Sequence, residues 1–342
     1  MVCPGNNSDL AVNVSASNFL NEVRALRENR LMDKDILRKL EERTGPLHAR
    51  QRFGIERDHE GQIFGQGFPF FYLSSYPTRW IIRNVLKATG LYWRARRNAE
   101  HILIKHNEVR FKKLPPLFDG FTILHVSDPH ADMNEIAMEN LVKLLGGMQY
   151  DLCVLTGDYR GANFGAFQAA LDGVAQVRAQ LKEPIYAVLG DHDTIQMVPG
   201  LENIGIRVLL NECETIVRGD QQIYLAGIDD AHFFRVDNIE KAALPIPNGS
   251  FSILLSHTPE VYRQAAHADF NLMLSGHTHG GQICLPGSIP IKLDAVLPRR
   301  MGSGPWQYHD MTGYTSVGAG SSVVPVRLNC PPEITLHHLR LG

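Results

Sequence analysis

No stretch of this chain approaches the roughly 20 consecutive apolar residues that a membrane-spanning helix requires. The opening MVCPGNNSDLAVNVSASNF has neither the basic start nor the continuous apolar run of a signal peptide. Cysteine is scarce: Cys3, Cys153, Cys213, Cys284 and Cys330 are scattered, odd in number and never arranged as C-x-x-C. That excludes a disulfide framework and a zinc ribbon, and it fits a reducing compartment. Internal repeats and low-complexity tracts are also missing. The expectation from these absences is a cytoplasmic protein, qualified below by a segment suited to the inner face of the cytoplasmic membrane.

Net charge is small as well, −2 over 342 residues, until it is divided along the chain. Up to Lys113 there are 20 Lys+Arg against 12 Asp+Glu, a net of +8; the remainder carries 14 against 24, a net of −10. The basic part suits an anionic surface and the acidic part suits cations. Two regions follow: a helical, basic N-terminal extension over 1–113, and a second domain over 114–342.

Within the extension, residues 16–44 read as a helix, with Ser17 as cap and Leu20, Val23 and Leu26 at helical spacing. Residues 43–66 are polar and read as loop. FPFFYLSSYP (68–77) is aromatic and ends in proline. Between Pro77 and Arg97 there are six basic residues and no acid. Arg79, Arg83 and Lys87 fall on one helical stripe, and Trp80, Ile81, Val85 and Trp93 can gather on another. Segment 68–97 therefore has two readings: a helix lying in an anionic membrane interface, or a helix packed on the second domain with its arginines in water. Gly90 interrupts a regular helix.

From Phe121 the texture changes. TILHV (122–126), LCVL (152–155), IYAVL (185–189), IYLAG (223–227), SILLS (252–256) and LMLS (272–275) alternate with longer amphipathic stretches. Short Val/Ile/Leu runs at this rhythm predict buried strands in an α/β layered domain. Almost every run ends in a carboxylate or a histidine. Asp128 and His130 follow the first, Asp158 the second, and Asp191, His192 and Asp193 the third; His257 closes SILLS, and His277 and His279 follow LMLS. The carboxyl ends of strands in such sheets form the ligand crevice. A lone D-x-H is usually a turn and a lone G-D a helix entry. Together, so many Asp and His on one rim are costly unless cations neutralise them. Mixed carboxylate and imidazole donors suit Mn²⁺ first, with Fe or Zn²⁺ as alternatives, and they are too many for one tetrahedral ion.

D-x-H, G-D, G-D-H-D, H and G-H-x-H in this order resemble the calcineurin-like metallophosphoesterases over roughly 121–340. The resemblance implies an α/β fold of two mixed β-sheets packed as a sandwich and flanked by helices. It also implies two divalent metal ions, one held by Asp128, His130, Asp158 and His279. The second ion would share Asp158 and take Asp191, His257 and His277. His192 would donate to the phosphoryl or leaving oxygen without ligating, and Asp193 would orient its imidazole. At position 191 the family usually has Asn; the added charge should tighten metal binding and weaken Lewis acidity. Arg160 and Arg327 are candidates for holding substrate phosphate, with a structural salt bridge as the alternative.

GHTHGGQ (276–282) and SVGAGSSVVPVRLNCPPEI (316–334) are similar to the bacterial branch containing membrane-associated phosphodiesterases and UDP-2,3-diacylglucosamine diphosphatases of lipid A synthesis. The implied reaction is hydrolysis of a UDP-linked acylated sugar diphosphate, or of a related lipid phosphodiester, by a peripheral membrane enzyme. The alternatives are a soluble phosphodiesterase, a phosphoprotein phosphatase, or a scaffold that binds metal without turnover. Neither a nucleic acid nor a protein partner is inferred.

Overall fold

A computed structural model describes the backbone of residues 35–65 and 76–342. The chain divides into two compact units that meet between Phe53 and Gly54. Residues 35–44 are helical, while the rest of the helix expected over 16–44 lies outside the described residues, as do residues 66–75 of the aromatic segment.

The strands appear where short apolar runs are framed by polar turns. They begin with β1 (Leu103–Phe111), β2 (Thr122–Val126), β3 (Leu152–Leu155), β4 (Ile185–Ala187) and β5 (Arg207–Val208). After these come β6 (Glu212–Arg218), β7 (Gln221–Gly227), β8 (Ser252–Leu255) and β9 (Leu272–Ser275). A two-stranded ribbon, β10 (Cys284–Leu285) and β11 (Ile289–Pro290), precedes β12 (Gly304–Tyr308), β13 (Met311–Thr315) and β14 (Glu333–Leu341). One six-stranded sheet has the order β1-β14-β2-β3-β4-β5 and the other β12-β13-β9-β8-β7-β6. Both are mixed: β14 runs antiparallel to β2 beside a parallel β2-β3-β4-β5 set, and β12 and β6 run antiparallel to their neighbours.

The sheets face each other across one apolar core. Val109, Ile123, Leu152 and Val154 from the first sheet share it with Leu225, Ile253, Leu255 and Leu274 from the second. Because side chains alternate along a strand, the residues between these face the other way. On the second sheet Ala226, Leu254 and Met273 form a separate core with Val261, Tyr262 and Trp306. The expected α/β sandwich of two mixed sheets is the observed fold.

The helices are α1 (Pro46–Gly65), α2 (Tyr76–Ala88), α3 (Tyr92–Glu100), α4 (Glu135–Leu145), α5 (Gln168–Arg178), α6 (Val198–Asn203), α7 (Ile239–Ala243) and α8 (Tyr262–His267). Asn134 caps α4 by accepting from Ala137 N, and one face of that helix buries Met138, Leu141 and Leu145. α1 corrects the reading of 43–66 as loop. Its sequence has no apolar periodicity, so the signal that reveals an amphipathic helix is missing there.

Two further differences concern the extension. The boundary expected at 113/114 does not separate two bodies, because β1 pairs in parallel with β14 along nine residues of the first sheet. The basic segment is two helices, broken at Gly90, whose φ of +71° is unstrained only for glycine. Leu86 and Ala95 pack with Val324, Val326 and Leu328, joined by Ile82 and Tyr92. One side of α2 and α3 is thus core, while Trp80 and Trp93 remain 60% and 68% exposed.

Candidate metal centre

The rim expected at the strand ends is assembled from both sheets. β2, β3 and β4 lead into Asp128–His130, Asp158 and Asp191–Asp193; β8 and β9 lead into His257 and His277–His279. All nine of these Asp and His side chains are buried. Asp128, His130, Asp158, His277 and His279 have positive φ, between 41° and 69°. Non-glycine residues rarely adopt that conformation, and its concentration at one rim marks a site where backbone strain is tolerated for placement. Glycine permits the close approaches. A Cβ on Gly190 would lie 2.2 Å from Asp158 Oδ1, and one on Gly276 would lie 2.2 Å from Asp128 Oδ2.

The donors form two groups that share Asp158. Asp128, His130, Asp158 and His279 each offer a ligand atom, all within 4.8 Å of one another, and Asp158, Asp191, His257 and His277 do the same. Within the second group the contacts are direct: His257 Nε2 is 3.4 Å from Asp158 Oδ1 and 3.0 Å from Asp191 Oδ1, and His277 Nδ1 is 2.9 Å from Asp191 Oδ1. In the first group His130 Nε2 and His279 Nε2 are 3.1 Å apart.

Main-chain carbonyls set the rings. His130 Nδ1 donates to Arg160 O (2.8 Å), His257 Nδ1 to Thr156 O (2.6 Å) and His277 Nε2 to Asp294 O (2.7 Å). A carbonyl can only accept, so in each ring the opposite nitrogen is the one presented to the cluster. His192 Nδ1 likewise donates to Gly161 O (3.0 Å), which turns Nε2 toward Asp191 Oδ2 (3.9 Å) and Asp158 Oδ2 (4.0 Å).

The titration pattern follows from this crowding. Burial pushes the Asp128 carboxyl up to about 6 despite His257 nearby. Burial lowers His130 to about 4, only partly offset by Asp158. His279 is held well below its ordinary value by burial and then by the Arg327 guanidinium. In the other group burial is outweighed. Asp191 drives His277 up to about 9, and Asp158 with Asp191 drives His257 well above the usual range. Asp191 is itself carried well below the carboxylate range by His277 and His257, against burial. A cluster that retains protons against desolvation is one that requires positive charge.

A calcineurin-like phosphoesterase family profile matches residues 121–281. The chain is 28% identical over 265 residues to the metallophosphoesterase YkoQ of Bacillus subtilis, covering 75% of this chain and 97% of that one. It is 31% identical over 202 residues to the phosphodiesterase YaeI of Escherichia coli, covering 55% and 70%. It is 30% identical over 250 residues to a bovine transmembrane protein with a metallophosphoesterase domain, covering 67% of this chain and 55% of that longer one. The chain belongs to the calcineurin-like metallophosphoesterases. It is accordingly a hydrolase of phosphoesters.

The donor set fits the divalent ions that metallophosphoesterases use. Three carboxylates and four imidazoles converge in buried positions, and each of the two groups offers four donors. Divalent ions there supply Lewis acidity toward phosphoryl oxygens and lower the pKa of water. The chain's own residues do the rest. The carbonyl-locked rings hold donor atoms in place, and His192 presents one nitrogen beside both carboxylates.

Three expected roles are corrected. Arg160 does not project toward substrate: its guanidinium donates to the carbonyls of His192, Gly165 (2.9 Å) and Asn163 (2.6 Å). Arg327 is fully buried and donates to the carbonyls of Val317 (2.6 Å), His279 (3.0 Å) and Gly320 (2.6 Å), with Nη2 2.9 Å from His279 Nδ1. Both arginines brace the loops that carry histidines. Asp193 accepts the main-chain N–H groups of Asp158 (2.8 Å), Tyr159 (2.9 Å) and Gly190 (2.8 Å), so it fastens two ligand loops together. Orientation of the His192 ring falls to the Gly161 carbonyl instead.

Two features escaped sequence reasoning. Lys292 lines the cavity over the metal centre, 3.2 Å from Asp294. A buried file of hydrogen bonds also runs behind Asp128. His337 Nε2 meets His125 Nδ1 (3.3 Å), His125 Nε2 meets Thr156 Oγ1 (2.8 Å), Thr156 donates to Ser127 (2.6 Å), and Ser127 donates to Asp128 Oδ2 (2.5 Å). A histidine inside the apolar run TILHV was the available signal for it.

Proposed function

We propose that this enzyme hydrolyses a phosphodiester or diphosphate bearing an apolar tail, of the UDP-2,3-diacylglucosamine kind or a related lipid phosphodiester. The observation that carries the reading is the cavity over the rim, about 400 Å³ in volume. Its floor holds Asp158, Asp191, His192, His277 and His279, whereas Ile81, Ile82, Val85 and Leu86 of α2 form one wall. Ile283, Ile291, Val323 and Val324 continue the apolar lining. A polar floor under aliphatic walls suits a ligand that is charged at one end and greasy at the other.

In this reading two divalent ions, manganese foremost, are held by the two groups that share Asp158. His192 serves as proton donor to the leaving oxygen, and Lys292 meets a second anionic group of the substrate. The cytoplasmic, peripheral location expected from the sequence belongs to the same proposal. Among the described residues no helix is long and apolar enough to cross a membrane.

The test measures turnover of UDP-2,3-diacylglucosamine, of a lipid phosphodiester in detergent micelles, and of a soluble aryl phosphodiester, each with Mn²⁺ and with chelator. The reading requires a higher kcat/KM for a tailed substrate and loss of all turnover with chelator. Leu86→Ala and Val324→Ala should raise KM for the tailed substrate alone. Equal kcat/KM for tailed and tailless esters would favour the second reading, a soluble phosphodiesterase, which the likeness to YaeI supports.

A further inference from the structure

The apolar wall of the cavity has an outer side. α2 is short, and its side chains fall into stripes, because residues four apart share a helix face. Ile82 and Leu86 point into the core formed with Val324, Val326 and Leu328. Ile81 and Val85, four apart, line the cavity and yet are 53% and 56% exposed, so they stand at its mouth. Arg79, Arg83 and Lys87, also four apart, are exposed along another stripe. Trp80 lies between the two stripes, more than half exposed.

α3 repeats the arrangement. Ala95 and Ala99 are buried, while Trp93, Arg94, Arg96 and Arg97 are exposed. Leu285 of β10, Ile289 of β11 and the following Ile291 are each exposed by half or more, and of these Ile291 lines the cavity. α2 and α3 together thus expose six cations and two tryptophans, with Arg96 3.7 Å from Glu100, and the exposed aliphatics Ile81, Val85 and Ile291 stand at the cavity mouth. Scattered apolar residues on a surface need no explanation, but a set gathered at the mouth of a binding cavity does. Basic residues beside interfacial tryptophans complement an anionic lipid surface: the cations attract headgroups while the indole rings settle at the headgroup level.

We infer that α2 and α3, with Ile291, dock the cavity mouth onto an anionic phospholipid bilayer. The two stripes of α2 divide the labour. Arg79, Arg83 and Lys87 meet headgroups, and Ile81 with Val85 joins the apolar layer of the membrane to the apolar wall of the cavity. A tailed substrate then reaches the metal centre without its tail crossing water. The inference rests on the peripheral location in the proposed function and gives it a surface, and it does not depend on which lipid is cleaved.

The full-length, metal-loaded protein is floated with vesicles of phosphatidylcholine alone and of phosphatidylcholine with phosphatidylglycerol. It is expected to rise only with the anionic vesicles and to be released by raising the salt. Tryptophan emission should shift to the blue on binding, since Trp80 and Trp93 are exposed and the third tryptophan, Trp306, is already buried. The combined R79Q, R83Q and K87Q variant should lose at least about ten-fold in bound fraction. The W80A and W93A pair should lose binding together with the blue shift. None of these five side chains lines the cavity, so both variants should keep their metal content and their turnover of a soluble ester. Wild-type protein that stays below the anionic vesicles, or basic-stripe variants that float as well as wild type, would overturn the docking surface. Hydrolysis of a lipid phosphodiester in detergent micelles is read in parallel. If it persists while vesicle binding fails, the lipid substrate stands and the membrane surface does not.

Discussion

The two donor groups at the rim share Asp158 but solve the problem of buried charge in opposite ways. In the first, burial and the Arg327 guanidinium keep His130 and His279 unprotonated, ready to donate a lone pair. In the second, Asp158 and Asp191 hold protons on His257 and His277, so two imidazolium rings stand where positive charge is needed. The difference teaches that protons and metal ions compete unequally for this rim. An ion entering the first group meets neutral rings, whereas one entering the second must displace protons.

The comparison breaks most completely at the shared residue. Asp158→Ala removes a carboxylate from both groups and leaves His257 without its principal ionic partner. Metal content, measured by elemental analysis after manganese loading, should fall from about two equivalents to one or fewer, with turnover at background. Two retained equivalents would show that the groups do not depend on a common carboxylate.

Next in size is His192→Ala. The ring sits beside both groups, and the metal reading assigns it to neither. The variant should keep its metal and lose roughly 10²–10⁴ in turnover, the scale of a general acid. Loss of metal along with activity would make His192 a ligand.

Proton release sharpens the contrast further. With His277 at about 9 and His257 well above its ordinary value, both rings are protonated near neutral pH in the metal-free protein. Filling the second group should then release about two protons per chain, visible by calorimetry in buffers of differing ionisation enthalpy. Filling the first group should release few, because His130 and His279 are already neutral and Asp128, at about 6, is mostly ionised. Affinity at the second group should therefore rise with pH toward about 9. Asp191→Asn removes the charge that lifts His277, so the same titration should show fewer protons released and a shallower pH dependence. Identical titrations for the two forms would detach Asp191 from the ion.

What could be read in advance, and what could not, divides along the same physical lines. The donors were legible because each is local to a strand end: TILHV-S-D-P-H or LMLS-G-H-T-H carries its chemistry within a few residues of the strand that places it. Arg160 and Arg327 were misread because a cation beside such a motif looks like a phosphate holder. What decides is the set of carbonyls that loops from 163–165 and 317–320 bring to the guanidinium, and no local pattern encodes that. Asp193 misled for the same reason, its main-chain partners coming from the loop after β3. The apolar cavity wall joins residues 81–86, Ile283, Ile291 and residues 323–324, segments far apart in the sequence, and no local pattern encodes their convergence.

The smallest expected effect lies behind the first group, in the file that connects His337 and His125 to Asp128. Burial lowers His125 to about 3, and His337 also falls well below its ordinary value through burial and the neighbouring His125. The unfolded chain takes up these protons near 6.5, before the folded protein does. Their contribution is therefore undiminished above about 6.5 and is lost as pH falls toward about 3. Other groups titrate in the same window with the opposite sign; Asp128, raised to about 6, gains stability for the folded form as it binds its proton. The informative quantity is thus the difference between two profiles. Denaturant unfolding of metal-free wild type and of His125→Gln, followed from pH 7.5 to 5, should show the wild type losing more stability across the descent. The excess should be no more than about 2 kcal/mol, since one histidine contributes at most ~1.4 kcal/mol per pH unit below its unfolded pKa. Parallel profiles would mean that His125 takes its proton in the folded state as readily as in the unfolded one. The file behind Asp128 would then carry charge, and the contrast between a neutral first group and a protonated second one would not extend beyond the ligands themselves.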